Sequence, residues 1–216
     1  MPTLRPAKAW SVMERGNARF VAGEPAHPRQ DVERREALAL KQAPDVVLFG
    51  CSDSRLAAEI IFDKGLGDLF VVRNAGQVVS DSVVGSLEYA VGVLSVPLIV
   101  VLGHDGCGAV QAAIDACAPD AAPLPPHIDG LIQQIVPAVR RVATARDVAP
   151  SETDPHEVGR EHLRDTVAEL LERSEMISDA VAAGILGIVG ANYKLLEGTV
   201  VPDIFIGNLA PTPGAE

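Results

Sequence analysis

Four stretches of the chain are apolar almost without interruption: "DVVLFG" (45–50), "DLFVVRNAG" (68–76), "SVPLIVVLG" (95–103) and "ILGIVGANYKL" (185–195). A strand with one wet face alternates apolar and polar residues. An unbroken run marks a strand covered on both faces, as in a parallel sheet. In the third run Pro97 stands near the start, where a strand tolerates proline. A last strand is expected near 199–206, after the turn signal "EGTV", antiparallel at the sheet edge. Between these runs the apolar positions recur at helical spacing. Residues 7–22 place Ala9, Trp10, Met13, Ala18, Phe20 and Val21 between charges. Further helices are expected over 32–42, ending before Pro44, and over 56–64, 80–94 and 107–117, near 131–145, and in one long run near 156–183. "GEPAHPRQD" (23–31) and "APDAAPLPPHIDG" (118–130) read as connectors, and "PTPGAE" (211–216) as a frayed tail. The alternation of strand and helix predicts an α/β fold, a mostly parallel sheet of about four strands plus an antiparallel edge strand, flanked by helices. One domain over 1–216 is expected, with residues 1–44 as an N-terminal helical arm.

The polar residues that interrupt this pattern cluster at two strand ends. "VVLFGCSDSRLAAEIIF" (46–62) sets Cys51, Asp53 and Arg55 at the end of the first strand. "PLIVVLGHDGCGAV" (97–110) sets His104, Asp105 and Cys107 at the end of the third. Cys51 and His104 are expected one residue past their strands. Ligands of such sheets bind beyond the carboxyl ends of the strands. Right-handed crossovers bring both ends to one edge. Cys51, His104 and Cys107 then offer two thiolates and one imidazole. Three protein ligands with an open fourth position are the signature of a catalytic zinc. The glycines at 103, 106 and 108 allow a tight bend there, and Cys107 lies at a helix N-terminus, which favours its thiolate. An ionised Asp53 only accepts hydrogen bonds, so it suits the proton of an oxygen held on the metal. Arg55 can grip it bidentately and keep it ionised. Cys117 has no companion and reads as a helix-face core residue. His27, His127, His156 and His162 read as solvated surface histidines.

"CSDSR" followed by an H-x-x-C-G segment resembles the β-class carbonic anhydrases, and "DLFVVRNAG", "GSLEYAV" and "VVLGHDGCGAV" resemble the same family, over residues 8–208 or so. The resemblance implies zinc, one per chain, on Cys51, His104 and Cys107. It implies an Asp53–Arg55 dyad that orients hydroxide on the metal for attack on carbon dioxide, giving bicarbonate and a proton. Gln42, Phe70 and Tyr89 match positions lining the substrate cleft of the plant-type branch, the two aromatic residues coming from a neighbouring subunit, and the backbone at Gly108 offers a donor to the substrate. The family assembles as dimers or dimers of dimers, with N-terminal helices wrapped over the partner. The Trp10 segment is such an arm or, alternatively, packs on its own subunit. Leu48 stands where a second branch carries a tryptophan of its bicarbonate pocket, so that pocket is expected to be missing. Asp53 is expected to stay off the metal in alkaline solution.

Charge narrows the partners. The chain has 18 basic and 29 acidic residues, a net charge of −11, and no dense Lys/Arg cluster. Nucleic acid and anionic membrane surfaces are thereby disfavoured. No apolar run reaches the roughly 18 residues of a membrane span, and the first 20 residues lack the apolar core of a secretory signal. Three cysteines make no disulfide framework; the expectation is a cytoplasmic protein with reduced thiols. Three rivals fit the same residues: hydrolysis of carbonyl sulfide or CS2 on this zinc site, a non-catalytic structural or sensing zinc protein, and a cysteine-nucleophile hydrolase.

Overall fold

The computed structural model describes residues 5–209. In chain order the helices and strands are α1 (Pro6–Ala22), α2 (Val32–Leu38), β1 (Val46–Cys51), α3 (Ala58–Ile61), β2 (Leu69–Asn74), α4 (Asp81–Glu88), β3 (Leu98–His104), α5 (Gly108–Asp115), α6 (Pro126–Ile132), α7 (Val136–Arg146), α8 (Pro155–Arg173), α9 (Glu175–Ala182), β4 (Gly187–Tyr193) and β5 (Val200–Ile206). The strands form one sheet in the order β2-β1-β3-β4-β5. The first four are parallel and β5 runs antiparallel to β4. The predicted fold class and strand set therefore stand.

Both faces of the sheet are covered, as the unbroken apolar runs require. Successive strand residues point to opposite faces. Val46, Leu48, Leu98, Val100 and Leu102 join one core, with Trp10, Met13, Ile114, Ile135 and Val139 from the helices. Val47, Phe49, Ile99 and Val101 join the other, with Leu87, Leu163, Val167, Leu170 and Ile177. Each such side chain, fully buried, contributes about 1.5–3 kcal/mol.

Helix α1 starts at Pro6 and stops where Gly23 turns left-handed (φ 72°). It packs on its own subunit: Trp10 and Met13 are buried, and the Trp10 ring stands edge-on to Phe205 at 6.3 Å. The Asn17 side chain ties the helix down. Its amide donates to the carbonyls of Ile61 (3.1 Å) and Gly198 (2.8 Å), and its oxygen accepts from the Val200 amide (2.9 Å). Asp63 accepts from the amides of Ala26 and His27 and from Arg19, fixing the connector that follows. By contrast α2 buries no residue.

Several boundaries differ from expectation. The long run near 156–183 is two helices, because Ser174 leaves the helical region (φ −125°, ψ 101°) and its hydroxyl caps α9 by accepting from the Ile177 amide. The segment near 131–145 falls within α6 and α7, with Pro137 in the first turn of α7. Helix α4 widens into a π-helical turn over Tyr89–Val93. Helices α2 and α3 are shorter than expected. Strand β3 starts just after Pro97, and Cys51 and His104 are the last residues of their strands rather than one beyond. The expected tail at 211–216 lies outside the described residues.

Candidate metal centre

Strands β1 and β3 are hydrogen-bonded neighbours, so their carboxyl ends lie side by side. Cys51 closes β1, His104 closes β3, and Cys107 caps α5 two residues after Asp105. Gly106 makes the bend between them in the left-handed region (φ 58°). The two sulfurs and an imidazole nitrogen all lie within 4.8 Å of one another, and all three residues are buried.

The protonation pattern of this trio is that of a cation site. The His104 Nδ1–H donates to the Asp105 carbonyl (2.8 Å), because a carbonyl only accepts. Nε2 is then a bare lone pair, buried and without a protein partner. The Cys51 thiol is held well below its ordinary pKa, chiefly by hydrogen bonding from Cys107, against the opposing effect of burial. Cys107 is pushed up by the same contact with Cys51 and by burial. The two shifts run in opposite directions, so a thiolate is favoured at Cys51. Two sulfurs with one imidazole whose Nε2 is orphaned are a fitting set for zinc, which Cys51, His104 and Cys107 would hold.

Asp53 is not a member of the trio. Its carboxylate accepts from Arg55 at both oxygens, Nε to Oδ1 (2.9 Å) and Nη2 to Oδ2 (2.7 Å), and from the Arg55 amide. This pairing holds its pKa well below the usual carboxylate range. Arg55 Nη2 also donates to the Gly106 carbonyl (3.1 Å), joining the loop after β1 to the loop after β3. Gly108, the first residue of α5, is exposed beside Cys107.

The remaining expected site residues lie elsewhere. Phe70 is the second residue of β2 and pairs with Val47, whereas Cys51 pairs with Asn74. Four residues of strand separate Phe70 from the carboxyl edge, roughly 13 Å. The Tyr89 ring lies 6.1 Å from that of Phe70. Gln42, exposed four residues before β1, shares with Tyr89 a depression of about 760 Å³ that also includes Leu40 and Val93. Tyr89 thus neighbours both Phe70 and Gln42 near the amino edge of the sheet, away from this chain's own trio.

One supporting residue, Arg73, was not singled out in the sequence, and another, His162, was placed at the surface. Arg73, exposed on β2, donates to the carbonyls of Cys51 (2.9 Å) and Asp53 (2.7 Å), bracing the loop that carries the dyad. The surface assignment of His162 is corrected: it is 3% exposed, and its Nε2 lies 2.7 Å from the Gly76 carbonyl. Its place in the apolar stripe Val158, Leu163, Val167, Leu170 of α8 is the signal that marks it as buried. His27, His127 and His156 are exposed, as expected. Cys117 is half-buried just past α5, its thiol on the Ala113 carbonyl. No helix of the described residues is long and apolar enough to cross a membrane.

A doubly covered α/β sheet with a buried Cys2His trio at its carboxyl edge defines a class of metalloprotein. Comparison with known proteins narrows that class. The family model described as carbonic anhydrase matches residues 46–200. The chain is 49% identical over 209 residues to "Carbonic anhydrase 2" of Mycobacterium tuberculosis, covering 97% of this chain and 98% of that one. It is 48% identical over 210 residues to a carbonic anhydrase of Mycolicibacterium smegmatis, with the same coverage. Its fold matches a crystal structure of a tetrameric β-carbonic anhydrase from the ascomycete Sordaria macrospora, with a TM-score of 0.70 and 25% identity over 93% of this chain and 99% of that one. The chain belongs to the β-class carbonic anhydrase family and is an enzyme of that kind.

Proposed function

We propose that the chain hydrates carbon dioxide reversibly, using one zinc ion per chain held by Cys51, His104 and Cys107. The observation that carries this reading is the buried trio with its orphaned His104 Nε2 beside a separately paired Asp53. Zinc, when bound, supplies a Lewis acid that makes a water nucleophilic near neutral pH. The chain's own residues aim that nucleophile. Asp53, ionised and able only to accept, takes the nucleophile's remaining O–H and points its lone pair at the carbon of the substrate. Arg55 holds the carboxylate in that orientation and out of the trio, so Asp53 would not serve as a further protein ligand and a closed structural site is disfavoured. The N–H groups at the start of α5, at Gly108 and beyond, have no partner within their helix, and they offer donors to the oxygen on which charge develops.

The substrate wall comes from a second copy. Phe70 and Tyr89 are the apolar surface and Gln42 the amide donor, and they stand at the sheet edge opposite the trio. A homodimer, or a dimer of dimers as in the tetrameric relative, brings the amino edge of one chain to the carboxyl edge of another. We read the chain as one domain, its arm being the exposed α2 segment rather than the Trp10 face of α1, which its own core covers. Three free thiols suit a reducing cytoplasm.

The test is metal content and carbon dioxide hydration on one preparation, with carbonyl sulfide offered in parallel. About one zinc per chain with hydration, and little sulfide release, supports the reading. Sulfide release exceeding hydration moves the substrate to the other cumulene. A metal-free active protein ends the proposal.

A further inference from the structure

Behind Cys51 the chain makes two consecutive left-handed residues, Gly76 (φ 77°) and Gln77 (φ 41°). Such backbone persists only where its surroundings over-determine it. At Gly76 an added Cβ would stand 2.9 Å from the Ala109 Cβ and 3.0 Å from the Ile135 Cδ1, so the position admits glycine alone. At Gln77 the restraint comes from helix α8. His162 Nε2 lies 2.7 Å from the Gly76 carbonyl, and Thr166, one turn later, places its hydroxyl 3.4 Å from the Gln77 carbonyl. The same hydroxyl is 2.9 Å from the His162 carbonyl, the nearer acceptor of its single proton, so Thr166 is the weaker of the two anchors. The Gly76 amide, held by this clamp, donates to the Cys51 sulfur at 3.4 Å.

The chemistry of His162 follows from its partner. A carbonyl only accepts, so Nε2 carries the proton and the ring is neutral, in keeping with the downward push of burial on its pKa. Nδ1 is then a bare acceptor, buried without a protein partner. An aliphatic side chain, like its neighbours Val158, Leu163 and Val167, fills an interior without leaving such an orphan. Packing alone does not account for an imidazole here.

We propose that His162, with Thr166, is a positioning residue of the metal centre: through the Gly76 backbone it aims an amide at the Cys51 sulfur and fixes that ligand's orientation and electron density. The proposal rests on Cys51 being a zinc ligand. It adds an outer support that shares no residue with the Asp53–Arg55 dyad.

The experiment is competition for zinc between the protein and a chromophoric chelator, with the thiolate-to-metal charge-transfer band of the cobalt-substituted protein read beside it. His162→Leu is expected to weaken zinc binding about 10–100-fold, the range for outer supports of metal ligands, and to displace the band. His162→Gln keeps an N–H that reaches the Gly76 carbonyl and is expected to restore most of the affinity. Thr166→Val is expected to lose a few-fold. Parental affinity and an unmoved band in His162→Leu overturn the proposal, as does a Gln variant no better than Leu. Should His162→Leu fail to fold, Thr166→Val decides: a melting temperature that shifts with no change in zinc affinity overturns the proposal. A parent chain that takes up no zinc overturns the metal-centre reading itself, whereas a zinc-binding parent matched by its variants overturns this inference alone.

Discussion

The two edges of the sheet are built to opposite standards. At the carboxyl edge each member of the trio sits on a strand end or helix cap and is buried. Two of the three are tied from behind, His104 by the Asp105 carbonyl and Cys51 by the Gly76 amide, and the dyad beside them is tied by Arg73 and the Gly106 carbonyl. At the amino edge Gln42 is exposed, Tyr89 is 45% exposed and Leu40 is 99% exposed, with no comparable bracing. One edge is finished within the chain, and in the proposed assembly the other is half of a surface. A metal must be held to within tenths of an ångström, whereas an apolar wall for carbon dioxide needs only area, and a second copy can supply it.

The sharpest way to break this comparison is to remove a ligand. Cys51→Ala is expected to bring zinc content from about one per chain to background and to abolish hydration, as read by elemental analysis and stopped-flow assay. Retained stoichiometric zinc would show that the finished edge is not the metal site. Asp53→Asn should keep the metal yet lose about 10–100-fold in turnover; parental turnover would remove Asp53 from the mechanism.

The amino edge is then tested by complementation. Tyr89→Ala is expected to lower kcat/KM about tenfold, roughly 1.4 kcal/mol, without touching zinc content. Mixing it with Cys51→Ala chains under exchange should raise activity above the sum of the two preparations, because one site of the hybrid joins an intact trio to an intact wall. No gain on mixing would place the whole site in one chain.

The smallest effect on the site is expected at Asp63, which holds the connector leading to the Gln42 arm and acts on stability alone. Burial works to raise its pKa, but the amides of Ala26 and His27 and the Arg19 guanidinium outweigh it, and the net shift is downward. A depressed folded-state pKa stabilises the protein above the unfolded value of about 3.9 and is lost as pH falls through the folded value. Asp63→Asn should therefore cost about 1–3 kcal/mol near neutrality, with the gap to the parent closing below about pH 4. Melting curves across that range check it, and zinc affinity should not move.

Much of this was legible in the chain because burial on both faces leaves an unmistakable pattern. Val46–Phe49 and Leu98–Leu102 admit no other reading, and chemistry at their ends stands out against them. Helix breaks were less visible. Ser174 sits inside a pattern that continues in helical period on both sides, and only its hydroxyl on the Ile177 amide divides it. Pro137 was a fair signal for the start of α7. His162 was obscured by Arg160, Glu161 and Arg164, the charges that flank it in sequence. Arg73 could not be found, since its role depends on the parallel register that puts Asn74 beside Cys51. Nor could periodicity show that Phe70 and Cys51 lie at opposite edges without the strand directions.

The Asn17 side chain bonds to the main chain at Gly198 and Val200, 181 and 183 residues away. During translation α1 can coil as soon as it leaves the ribosome, and its first anchor, the Ile61 carbonyl, follows soon after. At about 5–20 residues per second, the second half of the lock arrives on the order of ten seconds later. Until then the helix is held by one end of a side chain that the finished fold grips at both.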